Sequence, residues 1–373
     1  MKLPEPNLSR RDFLKLAGLG LGTLALNPFR RALPLADFPA SDRLGRLDRY
    51  FGKVDIKSRP DENSTTVKPI YEDTVVIWLR EVVGTKVGYI STNTTWVETP
   101  EGFVYAPFLQ PVRNQPNTPL NAVPTGKQGF WVEVTVPYVD FRLENPAPIS
   151  PWLKTAVTNN WPTRLYYSQI MWVDQIKTSE MTGNLIYRIN ERIGNPGDIF
   201  WAEGVAFRPL TEDEVSPIHP DVDPNEKKVV ANLTSQTLSC FEGKKEVYFC
   251  RMSSGGKWDA NGNQVNNWST PLGEQITWRK SISTHMAGGT VSGGYDTPGV
   301  SWTTLFAGEG MAIHGTFWHN DFGNPRSHGC INVRPDDAKW IFRWTNPVVS
   351  LDPGDIIVSM PGGTHVIVIE RYF

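Results

Sequence analysis

The chain is poor in cysteine, with three among 373 residues. An odd and small number excludes a disulfide-built scaffold and leaves at least one thiol over. Excess positive charge is missing too. The 37 Lys and Arg stand against 39 Asp and Glu, a formal net charge of −2. No basic run breaks that balance, so no nucleic-acid partner is expected. No CxxC or HExxH spacing occurs, which removes the common zinc frameworks and leaves no metal expected. An apolar run long enough to cross a membrane is also lacking. The N-terminal run from Leu16 to Leu26 is roughly 11 residues long, where a spanning helix needs about 20.

That N-terminus instead carries an address. LSRRDFLKLAGLGLGTLAL has Arg10 and Arg11, then Asp12, Phe13, Leu14 and Lys15 ahead of the apolar run. A basic start, a short apolar stretch and small residues downstream make an export signal. The S-R-R-x-F-L-K form is similar to the twin-arginine (Tat) signal, which is read by a receptor and is not itself an anchor. Residues 1–36 are therefore expected to export the protein to the cell envelope or wall. LPLA, ending at Ala36, is the candidate cleavage site, with Pro34 an unfavourable residue in it. Retention as an uncleaved signal anchor stays open.

Aromatics are plentiful, with 14 Trp, 11 Tyr and 17 Phe, and 32 Gly and 30 Pro are spread along the chain. This mix implies strands and turns, and the fold class expected is mostly β. Residues 37–70 are polar and turn-rich (SRPDENSTTVKP) and read as a linker. Short apolar runs split by turn signals fill 71–140 and again 163–212, each a small β module. GFVYAPFLQPV and DIFWAEGVAFRPL end these segments in the same way and form a weak internal repeat. Both modules resemble bacterial SH3-like barrels; one continuous β-rich domain is the alternative. Residues 213–226 are acidic and Pro-containing and read as a second linker, with His219 a solvated loop residue.

Residues 227–373 form a domain of their own. KVVANLTSQTLSCFEGKKEVYFCRMSSG reads as a hairpin about a Glu-Gly-Lys-Lys turn. Cys240 and Cys250 lie either side of that turn. They are either a disulfide, which the right register would permit, or two reduced thiols in a β core. RPDDAKWIFRW reads as a helix, with Pro335 at its start, Asp336 and Asp337 in its first turn, and Ala338, Ile341 and Phe342 on an apolar face. Strands return at DIIVSM and HVIVIERYF.

Four of the six histidines, His285, His314, His319 and His328, fall within 44 residues, and Cys330 follows directly. Zinc ligation has enough N and S atoms but lacks the spacing. A buried filler cysteine leaves the crowding of His and Ser unexplained. Nucleophilic catalysis explains it. A thiolate attacks, a histidine takes the proton, and backbone N–H groups receive the oxyanion. Gly329 lets the backbone approach a substrate closely, and MAIHG puts His314 at the end of a buried run.

IHGTFWHNDFGNPRSHGCINV resembles the signature of the L,D-transpeptidase (YkuD-type) catalytic domain family: His-Gly, a loop, then Ser-His-Gly-Cys-x-Asn. The hairpin from Lys227 and TPLGEQITWRKSISTHMAGG resemble that family's opening hairpin and Thr-Pro-x-Gly segment, so the likeness covers roughly 227–360. The gap from His314 to Ser327 is slightly short for the family, which leaves acceptor preference open. The resemblance implies a C-terminal β-sandwich with a short helix, following the SH3-like modules. It implies Cys330 as nucleophile and His314 as base and later acid, oriented by the carbonyl of Gly315. Gly329 and Cys330 would supply oxyanion N–H groups, and His328 would support the thiolate. Ser327 and Asn332 would hold the loop, while His319, His285 and Met286 would border the substrate; a structural role for His319 and packed strand positions for His285 and Met286 are the alternatives. His365 is expected to be a satisfied sheet residue. The partners implied are peptidoglycan stem peptides, a donor tetrapeptide and an acceptor amine, with no cofactor; wall glycan or peptide would suit the N-terminal modules. The reaction implied joins two stems through their third residues with loss of D-Ala. An L,D-carboxypeptidase on the same scaffold, a variant that anchors a protein to the stem and a non-catalytic wall-binding protein are the alternatives.

Overall fold

A computed structural model describes residues 34–88, 91–194, 197–256, 265, 268–288 and 295–371. The twin-arginine segment expected at the N-terminus lies outside the described residues. The described chain is mostly β and divides into three successive β units.

The first unit holds β1 (Leu44–Leu47), β2 (Lys53–Lys57), β3 (Thr66–Tyr71), β4 (Val75–Ile77), β5 (Arg80–Val83), β6 (Thr95–Thr99), β7 (Gly102–Tyr105) and β8 (Leu109–Val112). They form two sheets, ordered β4-β1-β8 and β3-β2-β7-β6-β5. Residues 37–70, expected as a linker, thus contain three strands. The reason is alternation: Val54 and Ile56 of β2 face the core while Lys53, Asp55 and Lys57 point outward. Burying each such aliphatic side chain contributes roughly 1.5–3 kcal/mol, enough to order a strand that looks polar on average.

The second unit holds β9 (Phe130–Val134), β10 (Tyr138–Leu143), helix α1 (Pro151–Thr158), β11 (Arg164–Tyr166), β12 (Ile170–Thr178), β13 (Leu185–Asn190), β14 (Ile199–Glu203) and β15 (Phe207–Pro209). Its single sheet runs β11-β10-β14-β13-β12-β9-β15. β9 and β10, expected in the module 71–140, pair here instead, β9 with β12 and β15. The two repeat segments do share a local form. Each is strand, 3₁₀ turn, strand, with the turns at Ala106–Phe108 and Gly204–Ala206 and with Ala106 and Ala206 buried in them.

The third unit holds β16 (Lys227–Asn232), β17 (Thr237–Glu242), β18 (Lys245–Arg251), β19 (Gly273–Ile276), β20 (Arg279–Gly288), β21 (Tyr295–Ala307), β22 (Met311–Gly315), β23 (Ile331–Val333), helix α2 (Pro335–Trp344), β24 (Asp355–Ile357) and β25 (His365–Ile369). Two five-stranded sheets result, β18-β17-β16-β25-β19 and β23-β22-β21-β20-β24. Their shared core includes Val229, Leu238, Ile282, Trp302, Phe306, Ile313 and Ile331. Helix α2 buries Ala338, Ile341, Phe342 and Trp344 against it, with Asp336 and Asp337 in the first turn as its N-terminal dipole favours. The buried Lys280 ammonium closes its far end, donating to the carbonyls of Phe342, of Thr345 at 2.7 Å and of Pro347 at 2.7 Å.

The hairpin β17–β18 pairs Cys240 with Tyr248 and Leu238 with Cys250. The two thiols are therefore diagonal neighbours, and both are free and buried. Burial pushes both well above the ordinary thiol range. Residues 213–226 are anchored to the third unit: Arg343 donates to Ser216 O at 2.8 Å and Lys227 to Ile218 O at 3.2 Å. His219 and His365 are surface partners of Glu242 and Glu274, each at 2.6 Å.

Candidate active site

Strands β22 and β23 are parallel neighbours, with Ile313 opposite Ile331 and His314 opposite Asn332. Ile313 and Ile331 face the core. Side chains two apart on a strand share a face, so His314 and Asn332 point the other way. Cys330, one residue before β23, joins that second face. Parallel strands lie about 4.8 Å apart, which brings the imidazole and the thiol into one patch.

His314 is buried, and its Nδ1 lies 3.1 Å from Gly315 O. A carbonyl only accepts, so Nδ1 carries the proton and Nε2 keeps a free lone pair. Burial pushes the His314 pKa down to about 4, against the smaller opposing effect of that carbonyl. The Cys330 thiol is half-buried and contacts Gly310 O at 3.8 Å. Burial pushes it up to about 11, opposed by a hydrogen bond from the Ala312 backbone. The resting pair is a neutral thiol beside a neutral base, and a proton passing between them makes a thiolate and an imidazolium together with no change in net charge.

The loop before Cys330 is fixed from within. Ser327 Oγ donates to Cys330 O at 2.5 Å and accepts from Gly329 N at 3.1 Å. The Gly329 N–H, expected to face an oxyanion, is engaged by Ser327 in this conformation. Cys330 N–H is the remaining backbone donor of that pair. Gly329 has φ +115°, and a Cβ there would stand 2.5 Å from Met311 Sδ, so only glycine fits. Thr270 Oγ1 donates to Gly329 O at 2.9 Å and accepts from Gly255 N at 2.9 Å, tying the loop to the Thr-Pro-x-Gly segment.

His328 lies between two aromatic rings, Trp268 at 4.2 Å and Tyr295 at 5.3 Å between centroids. Burial raises the Tyr295 pKa, and charge on Cys330 would raise it further. His319 is buried behind the site. Its Nδ1 accepts from Asp321 N at 3.2 Å, and its Nε2 lies 3.0 Å from the Asn332 side-chain amide. Burial pushes it down to about 3. A neutral His319 protonated at Nε2 requires the Asn332 oxygen as acceptor, which also satisfies an oxygen otherwise buried without a partner. His319 and Asn332 thus brace the loop.

His285 stands apart from this group. Its ring is buried between Glu191, 2.7 Å from Nδ1, and Asp296, 2.5 Å from Nε2. Glu191 belongs to the second unit, so His285 sits in a joint between units, the packed position given above as the alternative to a substrate border. Met286, next to it, is half-buried, and the pairing of β20 with β21 shifts register between Thr284 and Met286. Trp268, Thr270, Met311 and Tyr295 are the site residues that the sequence reading missed. Trp268 precedes the Thr-Pro-x-Gly segment and Thr270 opens it, and Tyr295 is a lone aromatic after a Gly-rich stretch; both were visible signals. Among the described residues no group of three His, Cys, Asp or Glu side chains could hold a metal ion.

Residues 226–368 match the family model of the YkuD L,D-transpeptidase catalytic domain. This C-terminal domain belongs to that family. Solved structures similar to the chain include a cysteine-to-serine mutant of an L,D-transpeptidase from Enterococcus faecium, with 22% identity, TM-score 0.29, and cover of 40% of this chain and 52% of that one. An L,D-transpeptidase from Xylanimonas cellulosilytica has 24% identity and TM-score 0.27, covering 39% and 61%. One from Mycobacterium smegmatis has 17% identity and TM-score 0.31, covering 50% and 90%. The likeness thus spans about half to three fifths of the first two relatives. Scores this low carry no argument, and the assignment of the L,D-transpeptidase domain rests on the family match. No curated protein matches.

Proposed function

We propose that this protein is a cysteine-dependent L,D-transpeptidase that cross-links peptidoglycan stem peptides through their third residues. The observation that carries the reading is the shared face of Cys330 and His314, with His314 Nδ1–H held by Gly315 O at 3.1 Å. Cys330 Sγ attacks the carbonyl carbon of the third residue in a tetrapeptide donor while His314 Nε2 takes the thiol proton. Cys330 N–H stabilises the developing oxyanion. The C–N bond breaks, His314 returns the proton to the leaving amine, and D-Ala departs from a thioester. The side-chain amine on the third residue of a second stem then attacks the thioester. His314 accepts its proton, a new amide forms and the thiol is regenerated. The aromatic wall of Trp268, His328 and Tyr295 supports this reading by limiting water near the thioester. The two N-terminal units act as SH3-like modules that hold wall glycan or peptide, and a twin-arginine-type signal delivers the protein outside the membrane.

Mass spectrometry of a disaccharide-tetrapeptide incubated with the full chain tests this reading. A cross-linked dimer with free D-Ala, absent for Cys330→Ala, is the expected result. Tripeptide without dimer would make the protein a carboxypeptidase. An unchanged tetrapeptide with the protein bound to wall material would make it a binding protein.

A further inference from the structure

Arg46 on β1 is a charged residue buried to 1% exposure, far in sequence from the active site. Its guanidinium donates to Asp73 at 2.7 Å, to Gln110 Oε1 at 2.8 and 3.0 Å, to Asp48 at 3.5 Å and to Phe317 O at 3.4 Å. Asp73 also accepts from Arg164 of the second unit at 2.7 Å. A buried, fully partnered cation of this kind holds a fixed geometry, because every displacement leaves a charge unsatisfied.

The geometry continues toward the thiol as a chain of ring contacts. The Arg46 guanidinium lies 4.0 Å over the ring of Tyr166, on β11 of the second unit. Tyr166 stacks on Phe317 at 5.9 Å and 22°. Phe317 meets Trp318 edge-on at 5.0 Å, and Trp318 lies 5.6 Å from the ring of His314. Phe317 and Trp318 belong to the segment between β22 and β23. The first unit grips that segment elsewhere too, through Thr92 to Asn324 at 2.9 Å and Ala106 O to Asn320 at 3.4 Å. Both N-terminal units therefore meet at the loop that covers the base.

We infer that Arg46 and Tyr166 are positioning residues for the transfer reaction, holding Trp318 against His314 through Phe317. The N-terminal units then act as part of the catalytic apparatus as well as in wall binding. This inference rests on the functional reading above for its kinetic consequence, though not for its geometry.

Arg46 is unsuited to the test, since its removal would leave Asp48 and Asp73 buried without a counter-charge. Tyr166→Leu removes the stacked ring, while Tyr166→Phe keeps it. The full chain carrying isotope-labelled histidine gives a His314 side-chain NMR signal, assigned by its absence in His314→Gln. Tyr166→Leu should move that signal and slow D-Ala release by roughly tenfold with KM little changed, a part of the roughly 100-fold that a misplaced group can cost. Tyr166→Phe should leave both as in wild type. A His314 signal unmoved in Tyr166→Leu overturns the inference. If Tyr166→Leu does not fold, Phe317→Leu cuts the stack from the other side, and an unmoved signal there is equally decisive. The NMR signal is read whether or not D-Ala is released, so failure of the functional reading is told apart from failure of this one.

Discussion

Two buried histidines in one domain are held in opposite charge states. His314, at 2% exposure, has a single carbonyl as its visible polar partner and is pushed down to about 4. His285, at 4%, lies between two carboxylates. Burial opposes its charge, yet hydrogen bonds to Asp296 and Glu191 carry it up to about 9. Burial alone would lower both. The partners decide the sign, and the sign decides the use. A neutral imidazole with a free Nε2 can accept a proton, whereas an imidazolium between two anions can only hold them together. The first lies in the candidate active site and the second in a joint between units, where Asp296 also accepts from Trp152 N at 2.8 Å and His285 N donates to Ile193 O at 3.0 Å.

The comparison can be broken by exchanging what each ring loses. His314→Gln should lower turnover by about 10²–10⁴-fold, the range of general-base assistance, while the melting temperature stays near wild type. His285→Leu should do the reverse. It leaves Glu191 and Asp296 buried without a cation, a loss of about 3–5 kcal/mol that a denaturant melt would register, with turnover of the folded fraction far less affected. Equal loss of activity in the two variants would dissolve the distinction.

A pH series sharpens it further. The folded pKa of His285 is raised, so its contribution to stability is complete below about 6.5 and is lost as pH rises through about 9. His314 must be neutral to accept a proton, so activity should hold across neutral pH and fall as pH drops through about 4. Stability should therefore weaken on the alkaline side and catalysis on the acid side. Melting curves and initial rates across one buffer series would read both, and a rate that falls near pH 6.5 would mean that His314 is not desolvated.

Much of the site was legible because it is local. Ser327, His328, Gly329 and Cys330 adjoin, and β22 brings His314 alongside by one strand pairing. Pro335, Asp336 and Asp337 marked α2 for the same reason. What was misread or left open depends on distance in sequence. For His285 a substrate border and a packed strand position both stood open, because one of its two partners, Glu191, comes from another unit. β3 passed as linker because Ile70 is its sole buried residue among six, leaving no alternation to see. β9 and β10 were read as strands but given to the wrong unit, since no local pattern states which sheet a strand will join. Arg46 gave no signal at all, because a lone arginine reads as solvated until its buried partners are known.

The proposed reaction requires a covalent bond to Cys330. Rapid quenching of the full chain with a tetrapeptide donor, followed by peptide mapping by mass spectrometry, tests it directly. The predicted result is donor less D-Ala attached to the Cys330 peptide in wild type and no adduct in Cys330→Ala. Release of D-Ala at the wild-type rate by Cys330→Ala, with no adduct anywhere, would contradict it.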